Sequence, residues 1–124
     1  MHYILSILNQ KYKSIEYIII DGGSTDGTIE IIESYSDKIS IFISEKDRGM
    51  YDALNKGIEK SKGDIIGILH SDDIFHSNET VSLIANEFIN NADLDAIIGK
   101  VEFINEKEEI IRSSGSKFWR RWMF

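Results

Sequence analysis

Two adjacent aspartates, Asp72 and Asp73, follow an apolar run at residues 65–69 and have no basic residue beside them. Like charges at such short range repel each other unless a positive charge intervenes. A hard divalent cation, Mg²⁺ or Mn²⁺, binds through one or two carboxylates and completes its shell with water and phosphate oxygens. One aspartate could then hold the metal while the other accepts a hydrogen bond from a sugar hydroxyl. The alternative is that the pair caps the following turn or helix and binds no ligand. When an Asp-Asp pair is considered in isolation, this alternative is favoured, because such short motifs are weak evidence.

A second candidate site follows the apolar run at residues 16–20, where Asp21, Gly22 and Gly23 form a turn signal. The Asp21 carboxylate could accept hydrogen bonds from a base or a ribose, and the two glycines would let a flat ring approach the backbone. An equally good interpretation is a turn in which Asp21 accepts hydrogen bonds from local N–H groups.

The stretch at residues 45–57 carries more polar residues than a simple connection requires. Arg48 is a suitable diphosphate partner, because its guanidinium combines charge with a forked geometry. Asp52 lies four residues before Lys56, so the two can share one face of a helix. Asp52 therefore either faces a ligand or pairs with Lys56 at an exposed helix start.

The elements that must position these residues alternate between strand and helix. We predict strands at residues 16–20, 39–44, 65–69 and 96–104 with a return strand at 109–113, and helices at 3–8, from Ser24 or Thr25 to Tyr35, and at 51–61 and 78–90. Such alternation predicts an α/β fold with a mostly parallel sheet flanked by helices and a C-terminal β-hairpin. Ligands of parallel sheets bind beyond the carboxyl ends of the strands, so the three polar turns should share one rim. Residues from Gly115 onward are predicted to be irregular.

Composition excludes several classes of function. The chain has 124 residues, a net charge of −7 and no cysteine. The acidic balance argues against a general nucleic-acid partner, and the missing thiols exclude disulfides and thiolate zinc sites. No apolar run approaches the ~20 residues of a membrane span. We expect a cytoplasmic protein, with a peripheral position at the membrane left open.

Taken together, these segments resemble the family-2 glycosyltransferases of the GT-A (Rossmann-like) fold. The resemblance covers roughly the first three quarters of the chain, with agreement in order and spacing, and rests on residues 6–12, 17–28 (YIIIDGGSTDGT), 44–57 (SEKDRGMYDALNKG) and 63–73 (GDIIGILHSDD). It implies inverting transfer of a sugar from a nucleotide-diphosphate donor to a saccharide or lipid-linked acceptor, in polysaccharide biosynthesis, with Mg²⁺ or Mn²⁺. It places Asp21 and Asp72 against the nucleotide, Asp72 and Asp73 on the metal, and Asp52 near the donor.

The sequence also departs from the family pattern. Gly22 stands where many members have a second acid, and His70 stands where many have aspartate, so the metal motif is Ser71-Asp72-Asp73 and only resembles Asp-x-Asp. The resemblance implies a partial domain over residues 1–124, without the family's first strand and without the acceptor region that carries the catalytic base. The catalytic residue is therefore unassigned.

Two other functions stay open at this point. The chain could be a non-catalytic fragment that keeps nucleotide-sugar binding or acts as an interaction module. It could also be a phosphoryl-transfer domain with Asp21 or Asp72 as nucleophile, although the Asp-x-Asp-x-Thr/Val run that would support this is missing.

Overall fold

The computed structural model describes residues 2–114. The predicted irregular segment from Gly115 onward lies outside the described residues. The chain divides into two compact units, Met1–Asn86 and Glu87–Phe124. All the candidate site residues belong to the first unit.

The first unit is built around a pair of parallel strands. In chain order its elements are α1 (His2–Leu8), β1 (Ile18–Asp21), α2 (Thr28–Glu33), β2 (Ile41–Ser44) and α3 (Met50–Lys60), and α4 (Thr80–Asn90) begins in it. The register places Ile18 opposite Ile41 and Asp21 opposite Ser44. This confirms the predicted β-α-β unit and puts the last residues of both strands side by side.

Helices cover both faces of this strand pair. Ile4 of α1 and Ile32 of α2 are buried, and Ile19 packs against them on one face. Because successive strand residues point to opposite faces, Ile20 lies on the other side. There α3 packs on β1, with its Gly57 beside the Ile20 side chain.

The predicted start of α2 is wrong. We expected Ser24 or Thr25 to cap this helix, but it begins at Thr28 and has Gly27 at the N-cap position. Gly27 has φ 87°, in the left-handed region, and has no side chain to make a cap hydrogen bond. The physical reason is that the Ser24 hydroxyl donates to Asp21 instead and serves the preceding turn.

The predicted strand at residues 65–69 is also wrong. This segment is not in a strand, and Ile65, Ile66 and Ile68 are 45%, 49% and 56% exposed. A strand requires a hydrogen-bonded neighbour, and among residues 2–114 no strand pairs with this segment. An apolar, β-branched sequence is therefore not sufficient to form a strand at residues 65–69.

The second unit contains an antiparallel hairpin, β3 (Val101–Ile104) and β4 (Ile110–Ser114). This confirms the predicted hairpin, although its first strand begins at residue 101 and not at 96. The Asn105 side chain shapes the loop, because its Oδ1 accepts hydrogen bonds from the N–H groups of Lys107 and Glu109 at 2.9 and 3.0 Å.

Candidate functional site

Asp21, the last residue of β1, is the centre of a dense hydrogen-bonded turn and is 8% exposed. Its Oδ2 accepts hydrogen bonds from the N–H groups of Gly23 (2.9 Å) and Ser24 (2.8 Å) and from the Ser44 hydroxyl (2.7 Å). Its Oδ1 accepts from the Ser24 hydroxyl at 2.5 Å. Desolvation raises the pKa of Asp21, but the hydrogen bonds from Ser24, Ser44 and Gly23 together outweigh it and hold the pKa below its ordinary value.

Of the two interpretations of Asp21, the structure shows the one in which its carboxylate accepts hydrogen bonds from local N–H groups and organises the turn. Gly23 takes φ 88° there, a conformation that favours glycine. A carboxylate has about four lone-pair sites, and Oδ1 of Asp21 uses one of its two in these hydrogen bonds. The other three hydrogen bonds are accepted by Oδ2, so the carboxylate already accepts four, and the contact of Asp21 with a nucleotide stays a prediction.

The turn after β2 lies beside the turn after β1. The Glu45 N–H donates to the Asp21 carbonyl oxygen at 3.1 Å. A Cβ built on Gly22 would stand 2.7 Å from Oδ2 of Asp47. Gly22 therefore makes room for the Asp47 carboxylate, which is also held by the Gly49 N–H at 2.9 Å. Sequence reasoning missed Asp47, and the one available signal was its place beside Arg48 in the same polar turn.

Asp52, Lys56 and Glu45 form a hydrogen-bonded ion-pair group at the start of α3. Lys56 Nζ lies 2.8 Å from Glu45 Oε1 and 3.4 Å from Asp52 Oδ2. Asp52 also accepts the Arg48 N–H at 3.1 Å, and this hydrogen bond contributes most to lowering the pKa of Asp52. The hydrogen bond to Glu45 is the main cause that raises the pKa of Lys56. The predicted pairing of Asp52 with Lys56 is thus observed. The side chain of Arg48, the predicted diphosphate partner, is exposed.

The third polar turn meets the first in one groove. This rim groove has a volume of about 540 Å³ and is lined by Asp21, Gly22 and Ser24 of the first turn and by Leu69 and Ser71 of the third. Its volume lies within the range of roughly 300–1,000 Å³ typical of small-molecule sites. The first and third polar turns therefore come together in this groove, as the sequence predicted.

Asp72 and Asp73 directly follow Ser71 and are both exposed. The Asp73 N–H donates to the His70 carbonyl oxygen at 3.0 Å and closes the turn. Within residues 2–114 neither carboxylate takes part in an ion pair with Lys or Arg. The pair is accessible, and no Lys or Arg among the described residues forms an ion pair with it.

The donor chemistry at this turn fits a hard cation. Among the described residues no group of three or more His, Cys, Asp or Glu side chains is arranged to hold a metal ion. Two adjacent carboxylates match the sparse protein coordination of Mg²⁺ and of Mn²⁺, which take further oxygens from water and phosphate. Metal binding at Asp72 and Asp73 would thus need oxygens supplied by a ligand or by solvent.

The first unit defines an α/β protein whose rim groove runs along β1, from Tyr17 to Asp21, and ends at the turn beyond the carboxyl end of that strand. This end is where parallel α/β sheets bind their ligands. The family model described as "Glycosyl transferase family 2" matches residues 2–124. The chain therefore belongs to glycosyltransferase family 2 and has the GT-A fold of that family, which confirms the resemblance found in the sequence.

Named relatives agree with this family. The chain is 44% identical over 91 residues to an "uncharacterized glycosyltransferase" of Haemophilus influenzae, covering 71% of this chain and 36% of the relative. It is 33% identical over 105 residues to "Glycosyltransferase GlyG" of Streptococcus pneumoniae, covering 82% and 34%. It is 29% identical over 99 residues to a "PGL/p-HBAD biosynthesis glycosyltransferase" of Mycobacterium bovis, covering 77% and 39%. The chain thus spans about a third of the length of these curated relatives.

Among the described residues, none of the helices has both the length and the apolar character that a bilayer crossing requires.

Proposed function

We propose that this chain forms the sugar-donor-binding core of an inverting glycosyltransferase that binds a nucleotide-diphosphate sugar together with Mg²⁺ or Mn²⁺. The observation that carries the proposal is the rim groove, which Asp21 and Ser71 line together although 50 positions of sequence separate them. Family membership supports glycosyl transfer over phosphoryl transfer. We further propose that residues 1–124 belong to a single glycosyltransferase domain.

In this proposal the first and third turns bind the nucleotide. Asp21 would contact the nucleotide through Oδ1, which accepts one hydrogen bond against three on Oδ2, and Gly22 and Gly23 leave backbone accessible beside it. Asp72 accepts hydrogen bonds from the ribose or binds the metal. Asp21 stays ionised near neutral pH, because its hydrogen bonds favour the charged form.

The diphosphate is the part of the donor that needs positive charge. The exposed Arg48 guanidinium can bind phosphate oxygens through two parallel hydrogen bonds, and Asp52 holds the Arg48 backbone at 3.1 Å. Asp73 and Asp72 would hold the cation, which when bound neutralises charge on the leaving diphosphate.

The proposed reaction joins an acceptor hydroxyl to the donor sugar. The hydroxyl oxygen bonds to the anomeric carbon, the bond from that carbon to the diphosphate oxygen breaks, and the configuration inverts. The nucleoside diphosphate leaves, and the hydroxyl proton passes to a base that we assign to no residue of this chain. We propose a saccharide or lipid-linked acceptor, polysaccharide biosynthesis as the process, and a cytoplasmic location with a peripheral position at the membrane.

Calorimetric titration with UDP, GDP and dTDP, each with and without Mn²⁺, tests the proposal. We expect one nucleotide to bind in a Mn²⁺-dependent manner and Asp73→Asn to remove that dependence. Asp37→Asn is the matched control, because Asp37 is an exposed acid of the 3-10 turn Ser36–Lys38. Absence of binding for all three nucleotides, or equal effects of both substitutions, would contradict the proposal. Binding without release of nucleoside diphosphate from the donor sugar, in the presence of acceptors, would favour the non-catalytic alternative.

A further inference from the structure

Gln10 is the most deeply buried polar side chain of the first unit, with 1% of its surface exposed. Its Nε2 donates to the carbonyl oxygens of Ser6 at 2.9 Å and Ser77 at 2.7 Å. Its Oε1 accepts the Val81 N–H at 3.0 Å. Both amide hydrogens and the carbonyl are therefore used, and two of the three partners are more than 60 positions away in the sequence.

The partner on α4 explains why an amide is needed. Val81 is the second residue of α4, and the first N–H groups of a helix have no partner inside the helix. Gln10, two residues after the end of α1, supplies the missing acceptor, while it donates to Ser77 just before α4. A carboxylate could not donate, and an aliphatic side chain could do neither.

Gln10 lies within a wider set of contacts between the end of α1 and residues 75–81. The Lys11 N–H donates to the Asn78 carbonyl oxygen at 2.8 Å. The Phe75 N–H donates to the Ser6 hydroxyl at 3.4 Å. The segment that begins two residues after Asp73 is thus tied to α1 through Ser6 and to the turn after α1 through Gln10 and Lys11.

Within residues 2–114, the segment before the acidic pair has no comparable set of hydrogen bonds. Residues 65–69 form no strand, and Ile65, Ile66 and Ile68 are largely exposed. The turn closed by the Asp73 N–H on His70 therefore depends for its position on the anchored segment that follows.

We propose that Gln10 is a positioning residue that holds the Asp72-Asp73 turn at the rim groove through the 75–81 segment. The role of the turn as a metal site rests on the proposed function, whereas the placement of the turn by Gln10 does not. Gln10 touches neither aspartate, so it acts only through the backbone it binds.

The test compares Gln10→Met, which keeps the side-chain length and removes the three hydrogen bonds, with Lys11→Met. Lys11 makes an exposed ion pair with Glu79 at 2.6 Å and keeps its backbone contact in the variant, and such surface pairs contribute little. Hydrogen exchange without metal or nucleotide should show the Asp73 amide exchanging at least about tenfold faster in Gln10→Met, and within about twofold of the parent in Lys11→Met. A folded Gln10→Met protein with an unchanged Asp73 amide would overturn the proposal.

A second readout uses Mn²⁺ affinity in the presence of UDP, or of whichever diphosphate the protein binds. We expect Gln10→Met to weaken it about tenfold, the lower end of the effect of removing outer-shell support, while Lys11→Met leaves it unchanged. Unchanged Mn²⁺ affinity in folded Gln10→Met would also overturn the proposal. If the parent protein does not bind Mn²⁺ with any diphosphate, the proposed function fails, and the exchange experiment still decides whether Gln10 positions the turn.

Should Gln10→Met fail to fold, native-state hydrogen exchange of the unmodified protein in increasing urea replaces it. The Asp73 and Val81 amides should then open in the same cooperative step, because one anchored segment protects both. Opening of Asp73 while Val81 stays protected would overturn the proposal.

Discussion

Replacing Asp21 with asparagine tests whether its carboxylate organises the rim. The substitution Asp21→Asn keeps the shape of the side chain, and the amide carbonyl oxygen can take the place of Oδ2, which accepts three hydrogen bonds. Those three bonds would change from charge-assisted to neutral. Bonds to charged groups contribute about 1.5–3 kcal/mol and neutral ones about 0.5–1.5, a difference of about 1–1.5 kcal/mol per bond. For three bonds we therefore expect a loss of about 3–4.5 kcal/mol in the free energy of unfolding.

The effect should depend on pH in a defined direction. The pKa of Asp21 in the folded protein lies below the ordinary value of 3.8. Stabilisation by the carboxylate is therefore present above that value and is lost as the pH falls through the folded-state pKa. The Asp21→Asn protein has no such titration, so the stability gap between the two proteins should narrow as the pH falls below 3.8.

Urea unfolding followed by far-ultraviolet circular dichroism measures both quantities, with Asp37→Asn as the control for removing an exposed acid. We expect the control to match the parent protein. A loss of less than about 0.5 kcal/mol for Asp21→Asn, or a stability gap that stays constant as the pH falls, would show that the Asp21 carboxylate does not organise the rim.

Three further substitutions test the side-chain packing and the backbone conformation of the first unit. Gly22→Ala should lower the free energy of unfolding by about 1 kcal/mol, because the new Cβ would lie 2.7 Å from Asp47 Oδ2, and a double-mutant cycle with Asp47→Ala should remove most of that cost. Ile32→Ala should cost about 2–5 kcal/mol in urea unfolding, since Ile32 is 1% exposed, whereas its neighbour Ile31 is 40% exposed and Ile31→Ala should cost much less. Gly27→Ala should cost about 1–2 kcal/mol by the same measurement, because the position has φ 87° and open space around it, so any loss reports backbone strain alone.

Local sequence patterns predicted much of the first unit. The apolar runs before Asp21 and Ser44 are β-strands, and the helical patterns at residues 51–61 and 78–90 agree with α3 and α4 to within two residues. Those elements carry their own periodicity and turn signals. The meeting of Asp21 and Ser44 then follows from parallel pairing, which aligns the ends of the two strands.

The predictions that failed depended on partners distant in the sequence. Residues 65–69 have the composition of a buried strand, yet a strand forms only beside another strand. Serine is a residue type that commonly caps helices, but the Ser24 hydroxyl donates to the charged Asp21 carboxylate instead. A hydrogen bond to a charged acceptor is stronger than one between neutral groups.

The same reason explains the residues that sequence reasoning missed. The approach of Asp47 to Gly22 depends on how two turns pack, 25 positions apart. The contacts of Gln10 with Ser77 and Val81 span 67 and 71 positions. No local periodicity encodes such contacts.

The central claim is that the turns after β1 and after residues 65–69 form one ligand site. Paramagnetic broadening of backbone amide resonances by Mn²⁺, added with a saturating nucleoside diphosphate, tests it most directly. We expect amides of Gly22, Gly23 and Ser24 to broaden together with those of Ser71, Asp72 and Asp73, and Asp73→Asn to abolish both effects. Broadening confined to one of the two turns, or spread evenly over the surface acids, would contradict it.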